Sequence, residues 1–114
     1  MTEQIKRGEI YYMVFDNAIG SEQDNIRPAL VVSNDIGNAN SPTIIVVPLT
    51  SSKKSKNLPI HVQISKSCGL SNDSVALTEQ IRTFDRMRLG SYIGRISEDE
   101  QAAVDIALAT SVGL

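Results

Sequence analysis

The chain has 114 residues, of which 41% are hydrophobic and 21% are charged, so it suits one soluble globular domain spanning residues 1–114. No apolar run approaches the roughly 20 residues that a membrane-spanning helix needs, and the opening MTEQIKRGEI lacks the apolar core of an export signal. One cysteine, Cys68, excludes an internal disulfide and is typical of a reducing cytoplasm. We therefore expect a cytoplasmic protein without a membrane segment.

Charge is spread unevenly along the chain. The net charge of −2 argues against indiscriminate binding of nucleic acid, which needs a basic surface. Residues 97–114 contain four acidic side chains and no basic one, so residues 1–96 carry an excess of two positive charges. Two groups of basic residues stand out, which are Lys53, Lys54 and Lys56, and Arg82, Arg86, Arg88 and Arg95. They can form a local basic groove or ordinary solvated surface, and both interpretations remain open.

The first half of the chain predicts three strands. Residues 8–16 (GEIYYMVFD) form the first and are followed by a polar, turn-rich loop at 17–25. Residues 27–34 and 43–50 are rich in β-branched side chains, which fit a pleated, buried surface. The intervening NDIGNANSP predicts a turn or a short helical connection. Pro48, near the end of the third strand, predicts a bulge or an edge at that point.

The second half predicts further strands. Residues 58–64 (LPIHVQI) alternate apolar and polar side chains, as a half-buried strand does. Residues 74–84 (SVALTEQIRTF) also alternate, which predicts one continuous strand. A turn at 68–73, a helical turn at 85–89 and a small strand at 91–96 complete this part of the chain.

A helix is predicted at the end of the chain. Ser97 and Glu100 have the spacing of a capping box, and the helix that they open should stop before Gly113. With about six strands before it, the chain predicts a mostly β fold with a C-terminal helix. A small, partly open antiparallel barrel packed against that helix satisfies this pattern, although other small β-rich folds also do.

The side chains restrict the chemistry that is available. One histidine and one cysteine cannot make a zinc site of recognised spacing, and no glycine-rich phosphate loop is present. Four carboxylates of the first half lie mostly in predicted loops and show no clustered pattern, and they are Asp16, Glu22, Asp24 and Asp35. We therefore predict no metal and no cofactor. Any phosphodiester chemistry must use arginine, threonine, serine or a carboxylate.

Arg27 and Thr50 are the best candidates for such chemistry. Arg27 opens the second strand and Thr50 closes the third. Because a short connection favours antiparallel pairing, the two residues should lie near one end of the sheet. A guanidinium beside a hydroxyl can bind an oxyanion or a phosphate. Without other information, a surface ion pair for Arg27 and a plain strand-end hydroxyl for Thr50 are also reasonable.

Four segments in order carry a family resemblance. They are GSEQ at 20–23, RPALVVSND at 27–35, SPTIIVVPLT at 41–50 and DSVALTEQIRTFD at 73–85. With these segments the chain resembles the MazF/PemK family of toxin endoribonucleases from residue 6 to about residue 96, and the terminal helix also fits. The resemblance implies an SH3-like, plasmid-maintenance-toxin barrel.

The resemblance also implies roles for individual residues. It places the catalytic arginine at Arg27 and the catalytic threonine at Thr50. It places residues that read unpaired bases in the GSEQ loop, where Ser21, Glu22 and Gln23 offer donors and acceptors. Further RNA-binding candidates are Phe15 as a stacking surface, His61, Glu79, Gln80 and Arg82. Some of these residues have ordinary structural explanations as well.

The activity implied is a metal-independent, sequence-specific cleavage of single-stranded RNA, with mRNA as the substrate. The RNA 2′-hydroxyl attacks the adjacent phosphate, giving a 2′,3′-cyclic phosphate or 3′-phosphate and a 5′-hydroxyl. The implied partners are a second copy of the chain and a MazE-type antitoxin, whose acidic tail the basic groups can attract.

Two other functions compete with this interpretation. A CcdB-like gyrase poison shares the barrel but acts by protein binding alone, and its decisive residues should lie in the terminal helix. A non-catalytic SH3-like binding module normally displays an aromatic groove, and the aromatic content of 4% disfavours it.

Overall fold

Seven strands and two helices make up the fold. The computed structural model describes residues 4–15, 26–51 and 59–114. The strands are β1 (Glu9–Val14), β2 (Ile26–Val31), β3 (Thr43–Ser51), β4 (His61–Ile64), β5 (Ser74–Leu77), β6 (Arg82–Asp85) and β7 (Leu89–Arg95), and the helices are α1 (Asp35–Asn40) and α2 (Glu98–Ser111). The predicted class, mostly β with a C-terminal helix, is confirmed. In these ranges no helix is long and apolar enough to cross a membrane.

Strand β3 is the centre of the sheet and pairs with three other strands. The order is β4-β5-β3-β2-β1-β7, and β6 also pairs with β3, with every pairing antiparallel. Strands β6 and β7 are separated only by a 3-10 helix at Arg86–Arg88, yet they pair with β3 and β1 respectively. A sheet whose outer strands are joined by one turn must curl, so the strands form a barrel.

Pro48 marks the point where β3 changes partner. Before it, β3 pairs with β2, ending at Ala29 opposite Pro48. After it, Leu49 to Ser51 pair with β5. Proline has no N–H to donate to a ladder, which favours a break in pairing at this position. The bulge or edge predicted at Pro48 is therefore wrong, because Pro48 pairs in register with Ala29 in a central strand and the pairing with β5 begins only after it.

The predicted continuous strand at 74–84 is wrong. A 3-10 helix at Thr78–Gln80 divides it into β5 and β6. Thr78 is fully buried, and its hydroxyl donates to the carbonyl of Ile60 and lies 2.8 Å from the Ser111 hydroxyl of α2. These contacts hold the turn against β4 and α2. The following strand, β6, pairs with residues 43–46 of β3, whereas β5 pairs with residues 49–51.

Two apolar clusters lie on opposite sides of the sheet. One fills the space beneath α2, where the helix contributes Val104 and Ala107 and the strands contribute Ile10, Leu30, Val47 and Leu49 among others. Burial of one such aliphatic side chain stabilises the fold by about 1.5–3 kcal/mol. The second cluster fills the barrel and contains Tyr11, Met13, Phe15, Ala29, Val31, Ile44, Val46 and Phe84.

The C-terminal helix begins where the sequence predicts, and the predicted turn or helical connection at 34–42 is helical. The Ser97 hydroxyl accepts from the Glu100 N–H, and the Glu100 carboxylate accepts from the Ser97 N–H, so the capping box is confirmed. The predicted connection at 34–42 contains α1, which the Asn34 side chain caps by accepting from the Gly37 N–H. The Asp35 carboxylate accepts from the Arg7 N–H at 2.7 Å, and this hydrogen bond lowers the pKa of Asp35.

Candidate active site

Arg27 and Thr50 share one end of the β2–β3 pair. The observed register joins Val31 to Val46 and Ala29 to Pro48. Because this pairing is antiparallel, Arg27 near the start of β2 and Thr50 near the end of β3 lie toward the same end of the two strands, beyond the last β2–β3 pair. The sequence-based expectation that they lie at one end of the sheet therefore agrees with the strand register.

Neither side chain is engaged by the described part of the protein. Arg27 is exposed and Thr50 is half-buried. Within residues 4–15, 26–51 and 59–114, no hydrogen bond or ion pair of the protein uses the Arg27 guanidinium or the Thr50 hydroxyl. A guanidinium without a carboxylate partner retains its full capacity to bind phosphate oxygens. The arrangement suits the stabilisation of negative charge on a bound phosphate.

A cavity of about 200 Å³ adjoins Thr50. It lies beyond the last β2–β3 pair, at the end of β3 that pairs with β5. Its lining consists of Tyr12, Pro28, Leu49, Thr50, Ser51, Leu70, Ser71, Asn72 and Ser74. The sequence predicted only a plain turn at 68–73 and gave no signal that Ser71 and Asn72 reach this site. Their position depends on the β3–β5 pairing, which joins segments distant along the chain.

The residues after β5 approach β3 on the side opposite β2. The 3-10 helix Thr78–Gln80 packs against β3, and the Gln80 side chain is exposed. The Glu79 carboxylate lies 3.1 Å from the His61 Nε2, and the His61 side chain is only 8% exposed. His61 also lines a separate groove of about 480 Å³ between β4 and α2. It therefore contacts Glu79 but lies outside the cavity that contains Thr50.

Arg82 lies beside an aromatic pair. Its guanidinium carbon is 4.7 Å from the centre of the Phe84 ring, and that of Arg88 is 5.0 Å from the same centre. Phe15 meets Phe84 edge to face, with 5.6 Å between ring centres, and it is only 8% exposed. The prediction that Phe15 offers a base a stacking surface is therefore wrong. Its ring is used within the barrel, because the hydrophobic gain of burying it is large.

The predicted basic surface is also smaller than the sequence suggested. The Arg86 guanidinium donates to the carbonyls of Asn38, at 2.7 Å, and Ser41, at 3.2 Å. Arg86 thus satisfies carbonyls at the end of α1 and is not a free cation for a polyanion. Other predicted residues lie outside the described ranges, and they are Ser21, Glu22, Gln23, Lys53, Lys54 and Lys56.

Cys68 and the possible metal ligands of the described residues give no alternative centre. Burial raises the pKa of the Cys68 thiol, which lowers the fraction of reactive thiolate at neutral pH. In the same ranges, no three histidine, cysteine, aspartate or glutamate side chains are grouped closely enough to hold a metal ion.

Comparison with known proteins identifies the family of the chain. The model of the PemK-like, MazF-like toxins of type II toxin–antitoxin systems matches residues 6–112. The chain is 44% identical to endoribonuclease EndoA of Bacillus subtilis strain 168 over 111 residues, covering 96% of each protein. It is 42% identical over 111 residues to endoribonuclease MazF of Staphylococcus epidermidis, covering 96% of this chain and 92% of the relative.

Solved structures give the same result. The crystal structure of MazF from Deinococcus radiodurans superposes with a TM-score of 0.81 at 25% identity, covering 99% of this chain and 100% of that one. A mycobacterial endoribonuclease in complex with its cognate antitoxin superposes with a TM-score of 0.80 at 27% identity, covering 96% of each chain. The chain therefore belongs to the PemK-like, MazF-like family of toxins of type II toxin–antitoxin systems.

Proposed function

We propose that this protein is a sequence-specific endoribonuclease that cleaves single-stranded RNA, with mRNA as its cellular substrate. Relatives at 42% and 44% identity are named endoribonucleases. The observation that carries the proposal is the exposed Arg27, which has no carboxylate partner among the described residues, at the same sheet end as Thr50. We infer that residues 1–114 act as one domain.

Arg27 stabilises charge in the proposed reaction. The 2′-hydroxyl oxygen attacks the adjacent phosphorus while the bond from phosphorus to the 5′-oxygen breaks. The 2′-hydroxyl loses its proton, the leaving 5′-oxygen gains one, and a 2′,3′-cyclic phosphate forms. Because arginine keeps its proton in proteins, the guanidinium is suited to binding the phosphorane oxygens rather than acting as a base. Thr50 hydrogen-bonds the phosphate or the attacking hydroxyl.

Substrate recognition is assigned to residues around this centre. We propose that Ser21, Glu22 and Gln23 read base edges, which unpaired RNA exposes. We propose that Gln80 and Arg82, which lie on the side of β3 that pairs with β6, extend the RNA-binding surface. The contact between His61 and Glu79 supports an indirect role for His61, in which it orients the Glu79 carboxylate.

Cleavage is expected to persist in excess EDTA. The attacking group belongs to the RNA, so the protein has only to orient it and to stabilise charge. The measurement is cleavage of a long single-stranded RNA with and without chelator, followed by mapping of the ends. A Mg²⁺-dependent nuclease in the same buffer serves as the control and should stop. Activity that disappears in EDTA and returns with Mg²⁺ or Mn²⁺ contradicts the proposed metal independence.

We further propose that the protein is a cytoplasmic homodimer held inactive by a MazE-type antitoxin. Its support is the family membership and the related mycobacterial endoribonuclease solved with its cognate antitoxin. Exposed Arg27 and half-buried Arg82 remain as cations for an acidic segment after Arg86 and Arg88, which donate to backbone carbonyls, are set aside. A disordered acidic tail can fold along such a surface and be removed by proteolysis.

Antitoxin and RNA are expected to compete for this surface. The test measures binding of an RNA with a 2′-deoxy nucleotide at the cleavage position, which prevents attack, with and without saturating antitoxin. We expect the antitoxin to weaken RNA binding at least tenfold, and higher salt to weaken both complexes because the attraction is partly electrostatic. An antitoxin variant with its tail carboxylates neutralised is the control. If both ligands bind together with unchanged affinities, direct competition is excluded.

A further inference from the structure

We propose that the cavity beside Thr50 holds one unpaired nucleobase of the RNA, from a nucleotide next to the scissile phosphate. The proposal rests on the proposed nuclease function and adds a binding site to it. Three features of the cavity support it. They are its size, its apolar floor, and polar groups at its edge that make no hydrogen bond within the described protein.

The size and floor of the cavity suit a flat ring. Its volume of about 200 Å³ is below the roughly 300–1,000 Å³ typical of sites for drug-sized ligands, so it accommodates one ring system. The floor includes Leu49 and Leu70, which are 1% and 9% exposed. Pro28 lines it as well. An apolar floor with a polar rim is the usual composition of a small-molecule site.

Asn72 is the side chain best suited to read the edge of a base. Its backbone carbonyl accepts from the Ser74 hydroxyl at 3.0 Å, which fixes the conformation of the turn. Across the described ranges, no hydrogen bond of the protein uses its side-chain amide. An amide presents an acceptor and two donors, and base edges carry the matching groups. The hydroxyls of Ser51 and Ser71 line the same cavity.

Tyr12 supplies an exposed ring at the cavity. It is 41% exposed and lies opposite Pro28 in the β1–β2 register. Aromatic side chains on single-stranded RNA binders stack on bases in this way. Phe15, which the sequence predicts for this role, is buried, whereas Tyr12 is accessible. Since Thr50 lines the same cavity, a base held by Tyr12 and Asn72 belongs to one of the two nucleotides that flank the phosphate.

The test uses a short single-stranded RNA with one cleavage site and two versions that lack the base immediately 5′ or 3′ of the scissile phosphate. Cleavage is measured for each, and binding is measured with matching RNAs that carry a 2′-deoxy nucleotide at that site. We expect one of the two abasic RNAs to be cleaved and bound about tenfold or more less well by the wild-type protein.

The variants Asn72→Ala and Tyr12→Leu connect this loss to the cavity. Each should lower cleavage and binding of the intact RNA, yet match the wild type on the affected abasic RNA, because the interaction is already gone there. Gln4→Ala removes an exposed polar side chain outside the cavity lining and should change neither. Thermal melting establishes that the variants are folded.

Two results overturn the proposal. In one, both abasic RNAs behave like the intact RNA. In the other, the variants lose as much on the abasic RNA as on the intact RNA, which indicates a structural role. A wild-type protein that cleaves no RNA but binds the abasic RNA about tenfold less well would refute the nuclease while supporting the base site.

Discussion

Arg27→Ala is expected to lower kcat/KM for RNA cleavage by about two to three orders of magnitude while leaving the fold intact. Removal of one donor that stabilises a developing oxyanion costs about 2.7–4 kcal/mol in enzymes. The fold should survive because Arg27 is exposed and has no side-chain partner among the described residues. Stability is checked by the free energy of unfolding, and cleavage by initial rates on a single-site RNA.

Two companion variants sharpen this experiment. Arg27→Lys retains the charge but loses the planar fork, so its activity should lie between those of the wild type and Arg27→Ala. Arg95→Ala removes another exposed arginine, which pairs with Glu9 at the opposite end of β1 from Arg27, and should cleave at near the wild-type rate. Equal losses in Arg27→Ala and Arg95→Ala would indicate a general charge effect and contradict a specific role for Arg27.

Thr50→Ala tests the other half of the site. A neutral hydroxyl makes a weaker hydrogen bond than a guanidinium does, so we expect a loss similar to that of Arg27→Ala or slightly smaller. Wild-type rates in both alanine variants would remove the β2–β3 end from the mechanism.

The parts of the fold that the sequence predicts are those governed by local physics. The capping box at Ser97 and Glu100, the helical connection containing α1, and the alternation along β4 each depend on residues a few positions apart. The juxtaposition of Arg27 and Thr50 is predictable for a related reason. A short connection between β2 and β3 favours antiparallel pairing, and this pairing brings the two strand ends together.

Features that depend on distant partners are not predictable in this way. The turn at Thr78 is stabilised by Ile60 and Ser111, which lie 18 and 33 positions away along the chain. The sequence alone predicts that Arg86 is a surface cation. In the fold, the carbonyls of Asn38 and Ser41 lie beside its guanidinium and accept hydrogen bonds from it. The cavity at Thr50 is lined by Tyr12, Pro28, residues 70–72 and Ser74, which are distant from Thr50 along the chain. Such contacts follow from tertiary packing, which overrides local preference.

A backbone contact between the turn after β4 and strand β7 leads to the largest expected effect on stability. Gly94, in β7, is buried, and a Cβ added there would lie 1.6 Å from the Cys68 carbonyl oxygen. On the other side, a Cβ at Gly69 would lie 2.4 Å from the Ile93 carbonyl oxygen. The two backbones therefore touch directly, and neither can accept a methyl group unless the other moves.

Gly94→Ala is expected to destabilise the fold by about 3 kcal/mol or more. Overpacking a well-packed site typically costs about 1–3 kcal/mol, and here the obstacle is backbone, which cannot escape by changing rotamer. Gly37→Ala in α1 is the matched control, because its nearest neighbour would lie at 3.4 Å and alanine favours helix. It should be neutral or slightly stabilising.

The free energy of unfolding of both variants, from denaturant titration, decides between these outcomes. Gly94→Ala as stable as the wild type would contradict the direct backbone contact. Any folded fraction of Gly94→Ala must displace the turn after β4, and this turn leads to Ser71 and Asn72. Its residual activity should therefore fall further than its folded fraction, since the lost contact would disturb the cavity beside Thr50 as well as the stability.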